Sequence, residues 1–529
     1  MITTTRAAEV HLHAGDRADQ AIETRHRVVP SSFGCSMRLH LINPSNPLVS
    51  IVRLEESRWN RYRVWQPLSL MVLAGLTPPE WDVTLLDENV GILHDQEMPR
   101  PDLVGITAFT SQAPRAYEIA ARLRRQGVPV VMGGIHATMC VDEVMPRVDA
   151  VVTGEADTIW PQVLEDAAHG RLQRRYDGGL AGMDAVRPAR HDLLAGDYAF
   201  GAIQTTRGCP MNCTFCSVTA FNGARYRQRS IPEVVREFQS IPEKRVLVVD
   251  DNLIGTTHAH IARAKDLFRA LAAANLGKEW IAQATINFAD DEELLTLAAQ
   301  AGCAGVFIGF ESPTREGLTE VGKRFNLLKG RNLAASVARI QRHHILVVGS
   351  FIIGLDVDTA GIGRRTAEAA RQYGVDSLNT LFLTPLPGTR LWDRMRAEGR
   401  VVLDRFPQDW QYYTLTFPVA RYKRLSQDQA IEEILACDRH FYAMPRILGR
   451  VWKNVWHRRH PLINLFGSLS YRRNLELYRK ACANFSRECA TRRAALEIWD
   501  SRLAGGLSQG RPSAGVNRVQ VSSATQTLG

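Results

Sequence analysis

The sequence predicts an α/β fold in three parts. These are an N-terminal doubly wound (flavodoxin/Rossmann-like) domain, a partial (β/α)6 barrel, and a C-terminal helical region. Three observations carry this reading. The chain has 529 residues, too many for one core. Short apolar runs ending in glycine turns alternate with amphipathic stretches, in two successive series, which is the signature of parallel sheets. From about 425 the periodicity is helical throughout.

In the first series "MRLHLINP" from Met37, "WDVTLLDEN" (81–89) and "PDLVGITAFT" (101–110) read as strands. "RAYEIAARLRRQG" (115–127) reads as a helix stopped at Gly127. "VPVVMGGIHA" (128–137) and "VDAVVTGEAD" (148–157) are strands followed by glycine turns. Ligands of such sheets sit beyond the carboxyl ends of the strands. The turns after Thr107, at Gly133–Gly134 and at Gly154–Glu155 are therefore expected to line one site. The domain is bounded at 37–175, after a polar leader (1–36) expected to be disordered, and a polar link fills about 170–198.

The second series spans 195–420, with strands "FGAIQTT" (200–206), "KRVLVVDDN" (244–252), "EWIAQATIN" (279–287), "CAGVFIGFES" (303–312), "ILVVGSFIIGL" (345–355) and "SLNTLFLTPLPGT" (377–389). Helices are expected at 258–274, 290–301 and 326–343. Six βα units are too few for a closed barrel and enough for an open one. Residues 421–500 read as a helical domain, and 501–529 as a Gly/Ser/Thr-rich disordered tail.

Composition narrows the class. An apolar fraction of 45% suits a globular protein. "MITTTRAAEVHLHAGDRADQ" has no basic-then-apolar export signal, and the longest apolar runs fall short of a membrane span. Nine scattered cysteines form no secreted disulfide framework, so a reducing cytoplasm is expected. The net charge of +10 is concentrated between Met444 and Lys480, where nine Lys/Arg face one acid, Glu476. Such a stripe fits nucleic acid, membrane or an acidic substrate.

"TTRGCPMNCTFCSV" crowds Cys209, Cys213 and Cys216 into eight positions after the first barrel strand, at the face where barrels place their chemistry. Zinc would require a fourth ligand, and no second C-x2-C hook or suitably spaced histidine accompanies the trio. A disulfide would leave one thiol over. Three thiolates on a [4Fe–4S] cluster leave one iron open to a small molecule's amine and carboxylate. Gly208, Pro210 and Asn212 favour an irregular loop able to wrap a cluster. Three unrelated buried cysteines are the bland alternative.

With its C-x3-C-x2-C motif the chain resembles the radical S-adenosylmethionine superfamily, from Gly201 to about Gly388. The resemblance implies a [4Fe–4S] cluster on Cys209, Cys213 and Cys216 with S-adenosylmethionine on the open iron. It further implies a 5′-deoxyadenosyl radical that abstracts hydrogen from an unactivated carbon, and an external one-electron donor such as flavodoxin or ferredoxin. The protein itself would orient the reactants and exclude water. By the same resemblance Phe215 lies near the adenine, and Asp251 among Asp250–Asn252 faces the methionyl part. Glu311 of "GFES" ends the fourth strand, and "GSFIIGLD" supplies Gly349 and Ile353 to an adenine strand, with Asp356 where an acid is commonly glutamate. Arg227 or Arg229 would hold the methionyl carboxylate, and "PLPGT" (385–389) would close the barrel mouth as a turn. Cys482 and Cys489, seven apart on one helix face, read as structural thiols before ligands of a second cluster.

The preceding domain resembles the cobalamin-binding domain of the subgroup that carries one, which implies cobalamin near Thr107, Gly133, Gly134 and Gly154. Those glycines would let backbone approach a large planar ligand. The D-x-H-x-x-G loop that gives cobalt a histidine is absent; "DENVGILHD" (87–95) does not fit it. A domain that only shapes the substrate pocket is the alternative.

"PRILGRVWKNVWHRRHPLINLF" spaces Ile447/Leu448, Val451/Trp452 and Val455/Trp456 four apart among basic residues, as in an interfacial helix. A helix packed on the barrel with a solvated basic face is the rival. Nucleic acid has no accompanying motif. The function expected is cobalamin-dependent C-methylation of a lipid or natural-product precursor, in the cytoplasm or at the inner membrane face. The alternatives are a radical cyclase or rearrangement enzyme and a non-catalytic cobalamin- or cluster-binding sensor.

Overall fold

The structure is a computed structural model that describes residues 36–46, 48, 66–90, 98–194, 198–456 and 461–506. The expected leader up to residue 35, Cys35 and the tail beyond 506 lie outside the described residues. Two compact units emerge. One ends at Ile203 and includes Pro232–Val246; the other comprises Gln204–Ile231 and the described chain from Leu247.

The first unit is built on β1 (Met37–Asn43), β2 (Trp81–Asp87), β3 (Leu103–Thr107), β4 (Val130–Gly133), β5 (Ala150–Thr153) and β6 (Arg175–Asp177). They form one parallel sheet in the order β2-β1-β3-β4-β5-β6. Leu39, Leu41, Leu103, Val104, Val130 and Val151 are buried. Covered on both faces, these strands read as apolar runs rather than alternating ones. The expected helix runs Ala113–Arg125 and buries Ala116, Tyr117, Ile119, Ala120 and Leu123.

Three details differ from expectation. The stretch 170–198 is not only a link, since it holds β6 and the turn His191–Leu194. Only Tyr176 of β6 is buried, and a three-residue edge strand has no alternation to detect. A helix at Leu68–Leu76 went unread, and "GGIHA" does not turn but starts the helix Gly134–Met139 directly after β4.

The second sheet takes β7 (Gly201–Ile203), then, past a small antiparallel ladder of β8 (Thr206–Arg207) and β9 (Arg227–Gln228), four long-range strands and a closing one. These are β10 (Arg245–Val248), β11 (Glu279–Ala284), β12 (Cys303–Glu311), β13 (Leu346–Ile353) and β14 (Ser377–Phe382). Their order is β14-β13-β12-β11-β10-β7, chain order throughout, as an open six-stranded barrel requires. The helix His258–Ala274 forms as read, with Thr257 as its cap, and Glu292–Gln300 falls within the expected 290–301. The helix expected at 326–343 is broken. A 3₁₀ turn covers Arg324–Gly330, and the α-helix Leu333–Arg342 starts where the Asn332 side chain accepts the Ala335 N–H.

The C-terminal helices are Gln427–Phe441, Met444–Trp456 and Pro461–Gly506, the last continuing past the expected boundary at 500. No helix among the described residues is long and apolar enough to cross a membrane. Asp376, buried just before β14, ties these helices to the barrel. Its carboxylate accepts from Gln341 Nε2 (2.9 Å), Val347 N (2.9 Å) and Asn454 Nδ2 (3.1 Å), and its carbonyl accepts from Asn464 Nδ2 (3.0 Å). Asp376→Ala leaves those buried donors without an acceptor. It should cost about 3 kcal/mol, read as a fall in the thermal midpoint of roughly 5 °C by calorimetry.

Candidate active site

The loop that leaves β7 is fastened by Asp250, Asp251 and Asn252, which follow β10 after Val249. Asp250 is fully buried; one of its oxygens accepts from Thr205 N (2.5 Å) and Thr206 N (3.0 Å), the other from the Thr205 hydroxyl (2.5 Å). Asp251 accepts on one oxygen from Gly208 N and Asn222 Nδ2, both at 2.8 Å. Asn252 hydrogen-bonds the Cys209 sulfur. Burial raises both carboxyls above their ordinary range, against hydrogen bonds that lower them. Asp251, expected to face a ligand, thus holds the backbone one residue before the first cysteine.

The far side of the loop is held by other elements. Asn212 adopts the left-handed region (φ 50°) between the first two cysteines, and Arg390 donates to its carbonyl and to its Oδ1 (3.1 Å). Thr214 N reaches Val321 O (3.4 Å), and Leu391 N reaches Thr214 O (3.0 Å). The "PLPGT" segment is more than a turn. Its Thr389 caps the helix Arg390–Ala397, which brings Arg390 to the loop.

Cys209, Cys213 and Cys216 are free thiols on this loop, and Phe215 is half-buried between the last two. Burial pushes all three thiols up, Cys216 to about 12, while the Lys323 ammonium pulls them down. Left alone they stay protonated; a bound metal takes the proton's place. Among the described residues no three His, Cys, Asp or Glu side chains are grouped tightly enough for a single ion. A four-iron cube is a larger object whose thiolate corners stand apart, so the donor set and its spacing suit it.

Beside the thiols stands an ion pair of which the sequence pattern marks only Glu311. Lys323 Nζ lies 3.2 Å from Glu311 Oε1, and both side chains are nearly buried. Burial works against the ammonium, but Glu311, Cys213 and Cys209 outweigh it, and the lysine is held charged more firmly than usual. Glu311 itself takes a left-handed φ of 64° at the end of β12. Gly309 leaves the space, since a Cβ there would meet Glu311 Oε1 at 2.1 Å and Lys323 Nζ at 3.2 Å. Lys323 follows the helix Arg315–Glu320 in "VGKRFN", where no period or motif marks it.

The other expected residues also make contacts within the chain. Gly349 and Ile353 lie inside β13, Gly349 against the Phe310 ring and Ile353 fully buried with its carbonyl accepting from Leu383 N. Asp356 is ion-paired to Arg400 (2.7 Å) and Lys423 (2.8 Å), which hold its carboxyl below the usual range despite burial. Arg227 and Arg229 brace backbone, donating to Asn222 O and Gln204 O at 3.0 Å. Cys482 and Cys489 are buried in the long C-terminal helix.

On the first unit, Thr107, Gly133 and Gly154 stand at the carboxyl ends of β3, β4 and β5, which are neighbours. The freedom of Gly134 (φ 88°) and Gly154 (φ 72°) is used within the unit, where a Cβ would meet Thr107 Oγ1 at 2.5 Å and Gly179 O at 2.6 Å. The sheet order reverses between β1 and β3, the usual crevice of such folds. There the loops are tied by Gln112 Nε2 to Pro44 O (2.6 Å) and Asn46 Nδ2 to Ser111 O (2.9 Å), and Phe109 is left 68% exposed. His136, next to this face, is fully buried with its Nε2 2.8 Å from the Tyr117 hydroxyl. An exposed aromatic ring on the loop that follows β3 suits the apolar face of a corrin.

Comparison with known proteins agrees with these two halves. Residues 60–164 match the B12 binding domain and residues 203–361 the Radical SAM superfamily. The chain is 30% identical to the bacteriochlorophyllide d C-12(1)-methyltransferase of Chlorobaculum tepidum over 411 residues, 74% of this chain and 87% of that protein. The chain belongs to the cobalamin-dependent radical S-adenosylmethionine methyltransferases. It is 28% identical to the hopanoid C-2 methylase of Rhodopseudomonas palustris, over 64% of this chain and 66% of that protein. The fold matches TsrM from Kitasatospora setae, a radical S-adenosylmethionine methyltransferase solved with cobalamin and a [4Fe–4S] cluster, at a TM-score of 0.58 and 18% identity. That match covers 86% of this chain and all of the other. The protein is therefore an enzyme of this family, and its cofactors are a [4Fe–4S] cluster, S-adenosylmethionine and cobalamin.

If Asp251 fixes the loop, Asp251→Ala frees the Gly208 amide and the backbone before Cys209. Iron retained after anaerobic reconstitution and desalting should fall several-fold, with the far-UV circular dichroism unchanged.

Proposed function

We propose that the enzyme methylates an unactivated carbon of a lipid or natural-product precursor, using Cys209, Cys213 and Cys216 as the cluster ligands. The observation that carries the reading is the cysteine loop, fastened residue by residue at the carboxyl-end face of the barrel by Asp250, Asp251 and Asn252. The names of the bacteriochlorophyllide and hopanoid relatives support an apolar polycyclic acceptor. When bound, the cluster with S-adenosylmethionine supplies one-electron chemistry, and cobalamin supplies the methyl group.

The chain's own side chains do the positioning. The end of a methionyl group carries a carboxylate and an amine. Lys323 and Glu311 offer one charge of each sign beside the thiols, and so suit that end. Phe215 takes the adenine side, and β13, with Gly349 and Ile353, walls it. Thr107, Gly133, Gly134 and Gly154, with Phe109, form the corrin face. A flavodoxin- or ferredoxin-type donor brings the electron, and the protein works in the cytoplasm, at the inner face of the membrane.

A second reading, ring formation without methyl transfer, has one observation in its favour. The chain is 24% identical to the anaerobic magnesium-protoporphyrin IX monomethyl ester cyclase of Rubrivivax gelatinosus, over 70% of this chain and 74% of that protein.

The test offers methyl-labelled S-adenosylmethionine with candidate polycyclic lipids and tetrapyrroles to the reduced holoenzyme without air. Methylation gives 5′-deoxyadenosine together with a product heavier by one labelled methyl. Deoxyadenosine with an unlabelled, ring-closed product would establish the second reading instead. Lys323→Met should weaken S-adenosylmethionine binding about tenfold or more while leaving the iron content unchanged.

A further inference from the structure

A surface helix normally turns its apolar side inward. The helix Met444–Trp456 buries Ile447 but leaves most of its large apolar side chains outside. Leu448 is 56% exposed, Trp452 70% and Trp456 75%, with Val455 and Met444 exposed beside them. The next helix, which packs against it, continues the surface with Leu462 (65%) and Phe466 (54%). The inward side is pinned by polar groups. Asn454 is buried on the Asp376 carboxylate (3.1 Å), and Arg450 lies 4.0 Å over the Phe441 ring while donating to the Phe441 carbonyl (2.9 Å). These contacts fix the helix's rotation, so its tryptophans cannot turn into the core.

The apolar side chains sit in the most basic part of the chain. Lys453 is exposed beside Trp452, and Arg473 and Lys480 are exposed on the following helix, where Arg479 pairs with Glu476 (3.1 Å) and Arg472 donates to the Tyr442 carbonyl (3.3 Å). Exposed leucine and tryptophan with flanking lysine and arginine form the pattern of an interfacial anchor. The apolar side enters the acyl boundary, tryptophan stays at headgroup level, and the cations meet lipid phosphates. A second copy of this chain fits less well, because a two-fold contact would set one basic surface against its equal.

We infer that the outward face of the helix Met444–Trp456, with the start of the helix that follows it (Leu462, Phe466), docks the enzyme on a bilayer carrying anionic phospholipid. This extends the membrane-side placement proposed above. Because its test uses no catalysis, either can fail alone.

The test is co-sedimentation of the full chain with vesicles, of phosphatidylcholine alone or with about one third phosphatidylglycerol, at low and high salt. Binding is expected to the anionic vesicles, with a blue shift of tryptophan emission and weakening by salt. W452S/W456S should bind about tenfold more weakly. Both positions are exposed, so the thermal midpoint and the iron content should not change. The inference is overturned if the wild type stays in the supernatant, or if the double variant binds as tightly. A wild-type dimer that the variant dissociates, or binding to RNA without binding to vesicles, would overturn it equally.

Discussion

Two adjacent carboxylates at the end of the second barrel strand decide where the three thiols stand. Asp250 is wholly out of water and engages two backbone amides and a hydroxyl at the start of the loop. Asp251 takes the amide of Gly208 three residues later. A carboxylate buried at such cost is tolerated only where several donors converge on it. An irregular loop with glycine, proline and asparagine has just such unpaired amides to offer. The strand end and the loop therefore satisfy each other, and the cysteines inherit a fixed backbone.

Charge is arranged around that frame with the same economy. The thiols are kept neutral by burial until a metal replaces their protons, and Lys323 beside them is held charged. Glu311 neutralises the lysine, so the pocket holds a balanced pair rather than an isolated ion. The first unit follows a parallel logic. Its sheet reverses order between β1 and β3, its strand-end loops are bonded to one another, and Phe109 is left exposed there.

Much of this was legible in the sequence. The strands were readable because parallel strands covered on both faces are apolar along their length, as β4 and β13 are. The cysteine loop was readable because three thiols at close spacing have few other uses. What escaped depends on distant partners. Lys323 gains its meaning from Glu311, twelve residues away across a helix. Asp356 is paired to Arg400 and Lys423, distant partners that its own motif does not reveal. The periodicity of 444–456 showed two faces but not which one points inward. That choice is made by Asn454 on Asp376, 78 positions apart in the chain.

The central claim is a thiol-held cluster with one iron left for S-adenosylmethionine. Electron paramagnetic resonance of the anaerobically rebuilt, reduced protein tests it most directly. The account predicts a [4Fe–4S] signal whose g-values move when S-adenosylmethionine is added, and no signal once Cys209, Cys213 and Cys216 are all alanine. A signal indifferent to S-adenosylmethionine, or one that survives the loss of those thiols, would contradict it.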